Sequence, residues 1–147
     1  MHKILFNLMI VILGVPAFAC PELSGQFDCE GTTGPVNTFI FSSGTERGQA
    51  VYYVNGTKLV ANGIPETRNR GDAFPSVYTA TCAEQSLNTR IQTSVSSSIC
   101  PSMPLAVESL TVFTRKGEQI EMDDRTILRC PGKETMNIHH VYTCKRK

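Results

Sequence analysis

The residues whose types could do covalent or metal chemistry are few: six cysteines and the neighbours His139 and His140. The cysteines are Cys20, Cys29, Cys82, Cys100, Cys130 and Cys144. None forms a Cys-x-x-Cys pair, and an even count can close three disulfides. Cys20, Cys100 and Cys130 each precede proline. Cys29, Cys82 and Cys144 each end a strand-like run. Adjacent residues on a strand point to opposite faces, so His139 and His140 cannot easily chelate one ion. One is expected to be packed and the other solvated. There is no Gly-x-Ser-x-Gly elbow and no phosphate-binding or dinucleotide glycine pattern. Glu121 and Asp123 fall beside an expected turn, where a carboxylate is ordinarily solvated. The chain therefore reads as non-enzymatic, with no catalytic residue, no cofactor and no metal ligand.

Two short motifs invite a binding role. Arg70-Gly71-Asp72 is the tripeptide that integrins recognise, and it lies in a polar stretch, 63–75, that reads as an exposed loop. Arg68, Arg70 and Asp72 are the candidate partner-binding residues there. Asn55-Gly56-Thr57 matches a glycosylation acceptor, but a hairpin turn accounts for it.

The elements that must position these residues are strands. Turn formers recur throughout, and between them lie short runs of Val, Ile, Thr, Tyr and Phe. The clearest hairpin is 49–61, turning at Asn55-Gly56, a pair suited to a type I′ turn. In that register Val54 faces Thr57, Tyr52 faces Leu59 and Ala50 faces Ala61. Residues 87–95 alternate without a break, placing Leu87, Thr89, Ile91, Thr93 and Val95 on one face. A second hairpin spans 108–122 and turns at Lys116-Gly117. A third turn is expected at Asp123-Asp124. Further strands are expected at 26–30, 36–42, 76–82, 126–130 and 138–145. The fold class is all-β: a small antiparallel up-and-down β-barrel of about 8–10 short strands, closed or nearly closed and stabilised by disulfides.

Residues 1–19 read as an address. Lys3 precedes an apolar run, and Pro16-Ala17-Phe18-Ala19 has the small-x-small pattern of a cleavage site. The run is shorter than the about 20 residues that span a membrane. The protein is thus expected to be secreted or periplasmic, with one barrel domain over 20–147. Lipidation of Cys20 is disfavoured, because Ala17 and Phe18 fit a lipobox poorly and five cysteines would remain. The chain has 14 Lys+Arg against 13 Asp+Glu. Once Lys3 leaves with the leader, acids and bases balance, which argues against a nucleic-acid partner.

The opening of the mature chain, Cys20-Pro21-Glu22-Leu23-Ser24-Gly25-Gln26-Phe27, resembles the calycin superfamily of lipocalins and avidins. Gly25 and Phe27 take the places of that family's Gly-x-Trp, whose aromatic plugs the closed end of the barrel. The chain has no Trp, so biotin binding is not implied, and the helix with which lipocalins usually end is not apparent. Phe27-Asp28-Cys29 also resembles the small periplasmic lysozyme inhibitors, but their inhibitory loop motif is missing.

Three expectations follow. All six cysteines pair, with Cys20 placed near Cys100 or Cys144 and Cys29 near Cys82 or Cys130. In an up-and-down count each barrel end then holds an odd number, so either one bridge runs along the wall or the strand count is off by one. The resemblance and the two-faced strands imply a secreted carrier of a small apolar ligand, lined by Phe27, Tyr52, Val54, Leu59, Leu87 and Ile91, with Val95 also pointing inward. The alternative is a protein-binding module, an inhibitor or adhesion factor, acting through the 63–75 loop.

Overall fold

A computed structural model describes residues 20–31, 37–69, 71 and 74–147. The proposed leader, Arg70 and Asp72 lie outside the described residues. Among the described residues there is no helix, and ten strands form one antiparallel sheet. They are β1 (Gly25–Gly31), β2 (Asn37–Glu46), β3 (Gln49–Val54), β4 (Thr57–Val60) and β5 (Glu66–Arg68), then β6 (Ser76–Ala83), β7 (Ser86–Ser97), β8 (Cys100–Lys116), β9 (Gln119–Arg129) and β10 (Met136–Arg146). Their order is β4-β3-β2-β1-β10-β9-β8-β7-β6-β5. The first and last strands therefore pair in mid-sheet, and the sheet edges are β4 and β5.

The sheet curls into a half-barrel whose seam lies between those edges. Gly63 N–H donates to the Ala80 carbonyl at 2.8 Å, and the Arg68 guanidinium donates to the Lys58 carbonyl. Arg68 also lies 4.7 Å over the Tyr78 ring and pairs with Glu66 at 2.8 Å. The 63–75 stretch is thus not loop throughout. Its polar residues hid β5, which pairs with β6 in the register Thr67 to Val77, and Arg68 is a latch across the seam.

Local chemistry explains the hairpin at Asn55-Gly56. Both residues take positive φ, 47° and 78°, and the Asn55 side chain accepts the Ile40 N–H at 2.8 Å. Tyr52 faces Leu59 and Val54 faces Thr57, as the alternation requires. The turn expected at Asp123-Asp124 does not form. Those residues sit in the middle of β9, which runs unbroken to Arg129, and the chain reverses instead after Cys130, at Pro131 and Gly132.

Removing that turn reverses the direction of everything after it, which moves Cys130 and Cys144 to opposite ends. The bridges are Cys20–Cys82, Cys29–Cys144 and Cys100–Cys130. Full pairing holds, and none of the pairings expected for Cys20 and Cys29 does. Cys20 opens a segment, 20–24, that crosses the barrel end. It is held there by the Tyr52 hydroxyl donating to the Pro21 carbonyl at 2.6 Å, by Arg115 on the Glu22 carbonyl and by Arg146 on the Ser24 carbonyl at 2.6 Å.

The main core lies directly above this plug. Leu23, Phe27, Phe41, Tyr52, Leu59, Tyr78, Leu87, Phe113, Ile120 and Met122 are buried in one cluster. Three of its rings, Phe27, Phe41 and Phe113, touch in sequence, Phe113 standing edge-on to Phe41 with centroids 5.2 Å apart. A smaller cluster of Cys100, Leu105 and Cys130, with Val107 and Leu128 against it, sits at the other end. Strands β7–β10 are long enough to join the two, and β1–β6 are not.

Candidate functional site

Register alone lays out the concave face of β7–β10 in rows, because facing residues share a side of the sheet. Leu87, Phe113, Met122 and Tyr142 form the row at the main core. Next come Thr89, Thr111, Asp124 and His140. Then follow Ile91, Ser109, Thr126 and Ile138, and beyond them Thr93, Val107, Leu128 and Met136. Exposure rises along this series. Val95, Met136 and Ile138 are 40%, 39% and 41% exposed, so apolar side chains stay open toward the far end of the face, flanking the smaller cluster in which Leu105 is buried. Val95 therefore does not reach the core; it faces Leu105 beyond the main cluster.

Asp124 carries the one charge in these four rows. Its Oδ1 accepts the Thr111 hydroxyl at 2.7 Å and the Ser109 hydroxyl at 3.2 Å. Its cross-strand neighbour His140 lies with its ring 5.9 Å from that of Tyr142. His139, on the opposite face, bonds Asp123 at 3.1 Å. The two histidines do point apart, His139 exposed and His140 half-buried.

The outer face of the same strands is different chemistry. Glu108, 7% exposed, is clamped by Arg90 at 2.5 Å and Arg129 at 2.8 Å. The Arg129 hydrogen bond, followed by that of Arg90, holds its carboxyl below the usual range. Arg125 and then His139 do the same for Asp123. Between these clusters a trough of about 670 Å³ crosses β6–β9, with Leu110 and Val112 at its base and Thr79, Thr81, Asn88 and Arg125 along it.

The residues expected to line a ligand are placed as follows. Phe27, Tyr52, Leu59 and Leu87 are buried, and Val54 and Ile91 pack against them. All six contribute to the main core. Burial pushes the Tyr52 phenol up to about 12. Only Ile91 also belongs to the rows above the core. Sequence reasoning missed Asp124 and the apolar strip beyond it. The signal was present in two alternating runs, Ile120-x-Met122-x-Asp124-x-Thr126-x-Leu128 and Met136-x-Ile138-x-His140-x-Tyr142-x-Cys144, the first of which a turn at Asp123-Asp124 would interrupt.

Among the described residues no group of three or more His, Cys, Asp or Glu side chains could hold a metal ion, and no helix is long and apolar enough to cross a membrane. No protein-family model, no curated protein and no solved structure matches the chain.

Proposed function

We propose that the chain is a secreted, non-enzymatic binding protein that holds a small apolar ligand against the concave face of β7–β10. One observation carries the reading: Val95, Met136 and Ile138 stay about two-fifths exposed on a face whose near end is closed core. Soluble proteins rarely leave contiguous apolar surface open without a use for it. Three disulfides suit an oxidising compartment outside the cytosol, in line with the leader read in residues 1–19. The calycin-like opening supports a ligand on the barrel's inner side, and Phe27 lies buried at the plugged end. The ligand would lie above the core rather than within it, because Phe27, Tyr52, Leu59 and Leu87 pack on one another.

Native mass spectrometry of protein purified from its own source tests this. A copurifying lipophilic mass, lost in Ile138→Ser with Leu128→Ser, supports the reading. An empty protein that captures no apolar probe overturns it.

The outer trough favours a second reading, a module that binds another protein. Arg90→Glu with Arg125→Glu would then abolish partner capture and leave any lipophilic mass in place. The 63–75 loop is a weaker basis for that role, since Arg68 is occupied at the seam.

A further inference from the structure

Asp124 differs from every other acidic residue among the described ones. Glu46, Glu66, Glu108, Glu121, Asp28 and Asp123 each have a basic side chain within ion-pair distance. Glu22, Glu30, Glu84, Glu118 and Glu134 lack one but are exposed, where water solvates them. Asp124 is half-buried and has no basic partner among the described residues. Its two hydroxyl donors, Ser109 and Thr111, fix its position and both act on Oδ1. They carry no charge to balance it.

Its surroundings define what could balance it. No Lys or Arg stands in the rows from Thr89 to Met136 on this face. His140 stands opposite it on β10, the Tyr142 ring lies 5.9 Å from that imidazole, and a tyrosine face attracts cations. Beyond it, Ile138, Leu128 and Met136 continue an uncharged, mostly apolar surface. From Asp124 to Leu128 a strand rises about 13 Å, enough to carry a medium-length alkyl chain.

We propose that this is a head-group site: the ligand of the concave face is an amphiphilic amine, its ammonium on Asp124 and its alkyl chain along Ile138, Leu128 and Met136. The inference rests on the reading of that face as the binding surface. It adds the charge and polarity of the ligand. A half-buried carboxylate without a counter-ion is costly, and an incoming ammonium removes that cost. An incoming carboxylate would raise it.

The test is an NMR titration of the full disulfide-bonded protein with decylammonium, decanoate and 1-decanol, all below micelle formation. Decylammonium should shift the amides of Thr111, Asp124, Leu128 and Ile138 and bind about tenfold tighter than decanol, the sum of one exposed ion pair and one cation–π contact. Decanoate should bind more weakly than decanol. Asp124→Asn, nearly isosteric, should erase the preference for the amine over decanol. Asp123→Asn, on the outer face, should leave the preference intact. Equal binding of all three probes at the same amides would overturn the head-group site and leave the apolar-face reading standing. No binding of any probe would overturn both. If Asp124→Asn does not fold, the ranking of the three probes on the unmodified protein decides.

Discussion

Cys29 and Cys144 stand directly opposite each other across the β1–β10 ladder, their Cα atoms 3.9 Å apart and their positions 115 residues apart in the chain. The bridge therefore locks the one ladder that joins the two ends of the meander. Every other ladder joins strands consecutive in sequence. In the unfolded chain this crosslink closes nearly the whole domain into a loop, so its entropic effect is near the top of the usual scale. Cys29→Ala with Cys144→Ala should lose about 3–5 kcal/mol of unfolding free energy in urea. Cys100→Ala with Cys130→Ala, separated by 30 positions, should lose less and act locally. Amide exchange should then rise around Leu105 and Leu128 while the main core stays protected. Equal, global losses from both pairs would contradict this division.

Gly31 should be intolerant of a side chain for a reason that its neighbour Tyr142 supplies. A Cβ at Gly31 would stand 2.6 Å from the Tyr142 ring. Tyr142 faces Gly31 in the β1–β10 register and packs against the main core, so the ring has little freedom to retreat. Gly31→Ala should cost about 1–3 kcal/mol, the usual range for overpacking. Tyr142→Leu in the same chain should recover part of it. A double-mutant cycle in urea measures the coupling, and strict additivity would locate the cost elsewhere.

These two contacts show where sequence reading reaches and where it stops. The Asn55-Gly56 hairpin and the alternation from Leu87 were legible because turn chemistry and side-chain period are local. Pairings such as Cys29 with Cys144, or Gly31 with Tyr142, depend on the closure of β1 against β10, which no local pattern encodes. The misread turn has a different cause. Two consecutive aspartates resemble a turn, yet each has partners within the sheet: Asp123 bonds Arg125 on its own strand and His139 on β10 at the outer face, and Asp124 bonds Ser109 and Thr111 on β8 at the inner one. Those bonds hold both carboxylates in mid-strand, Asp123 by a charged partner and Asp124 by two neutral hydroxyls. A turn at that place would break the concave row that contains Asp124.

The outer-face carboxylates should make stability fall in acid. Glu108 and Asp123 titrate below their ordinary values because arginines bond their charged forms. A depressed carboxylate contributes stability that is present above its unfolded value and is lost as pH falls through its folded one. The loss begins below about pH 4.5 for Glu108 and below about pH 3.8 for Asp123, their ordinary values. Glu108→Gln should remove about 1–2 kcal/mol at neutral pH, less than a fully buried pair would lose because both arginines are half exposed. It should also flatten the acid limb. Urea midpoints from pH 7 to pH 2.5 give both quantities. A variant whose acid limb keeps the parent slope would show that Glu108 is not a source of it.

Tyr52 should set the alkaline limit. Its ring is 1% exposed and its hydroxyl donates to the Pro21 carbonyl at 2.6 Å, holding the crossing segment on the barrel end. Burial raises the phenol from 10.0 to about 12, since the folded protein disfavours the phenolate. The sign follows from linkage: the stabilisation is fully present below pH 10.0, the unfolded value, and is lost as pH rises toward about 12. Tyr52→Phe keeps the ring and removes only the hydroxyl. It leaves the Pro21 carbonyl unsatisfied beside the core, so it should cost about 1–2 kcal/mol at neutral pH. Between pH 10 and 12, however, the variant should lose less stability than the parent, because it has no phenol there to ionise. The two unfolding curves should therefore converge with rising pH. Curves that stay parallel from pH 7 to pH 12 would mean that Tyr52 ionises in the folded protein as readily as in the unfolded one, and the hydroxyl would then have to be solvated rather than closed off under Pro21.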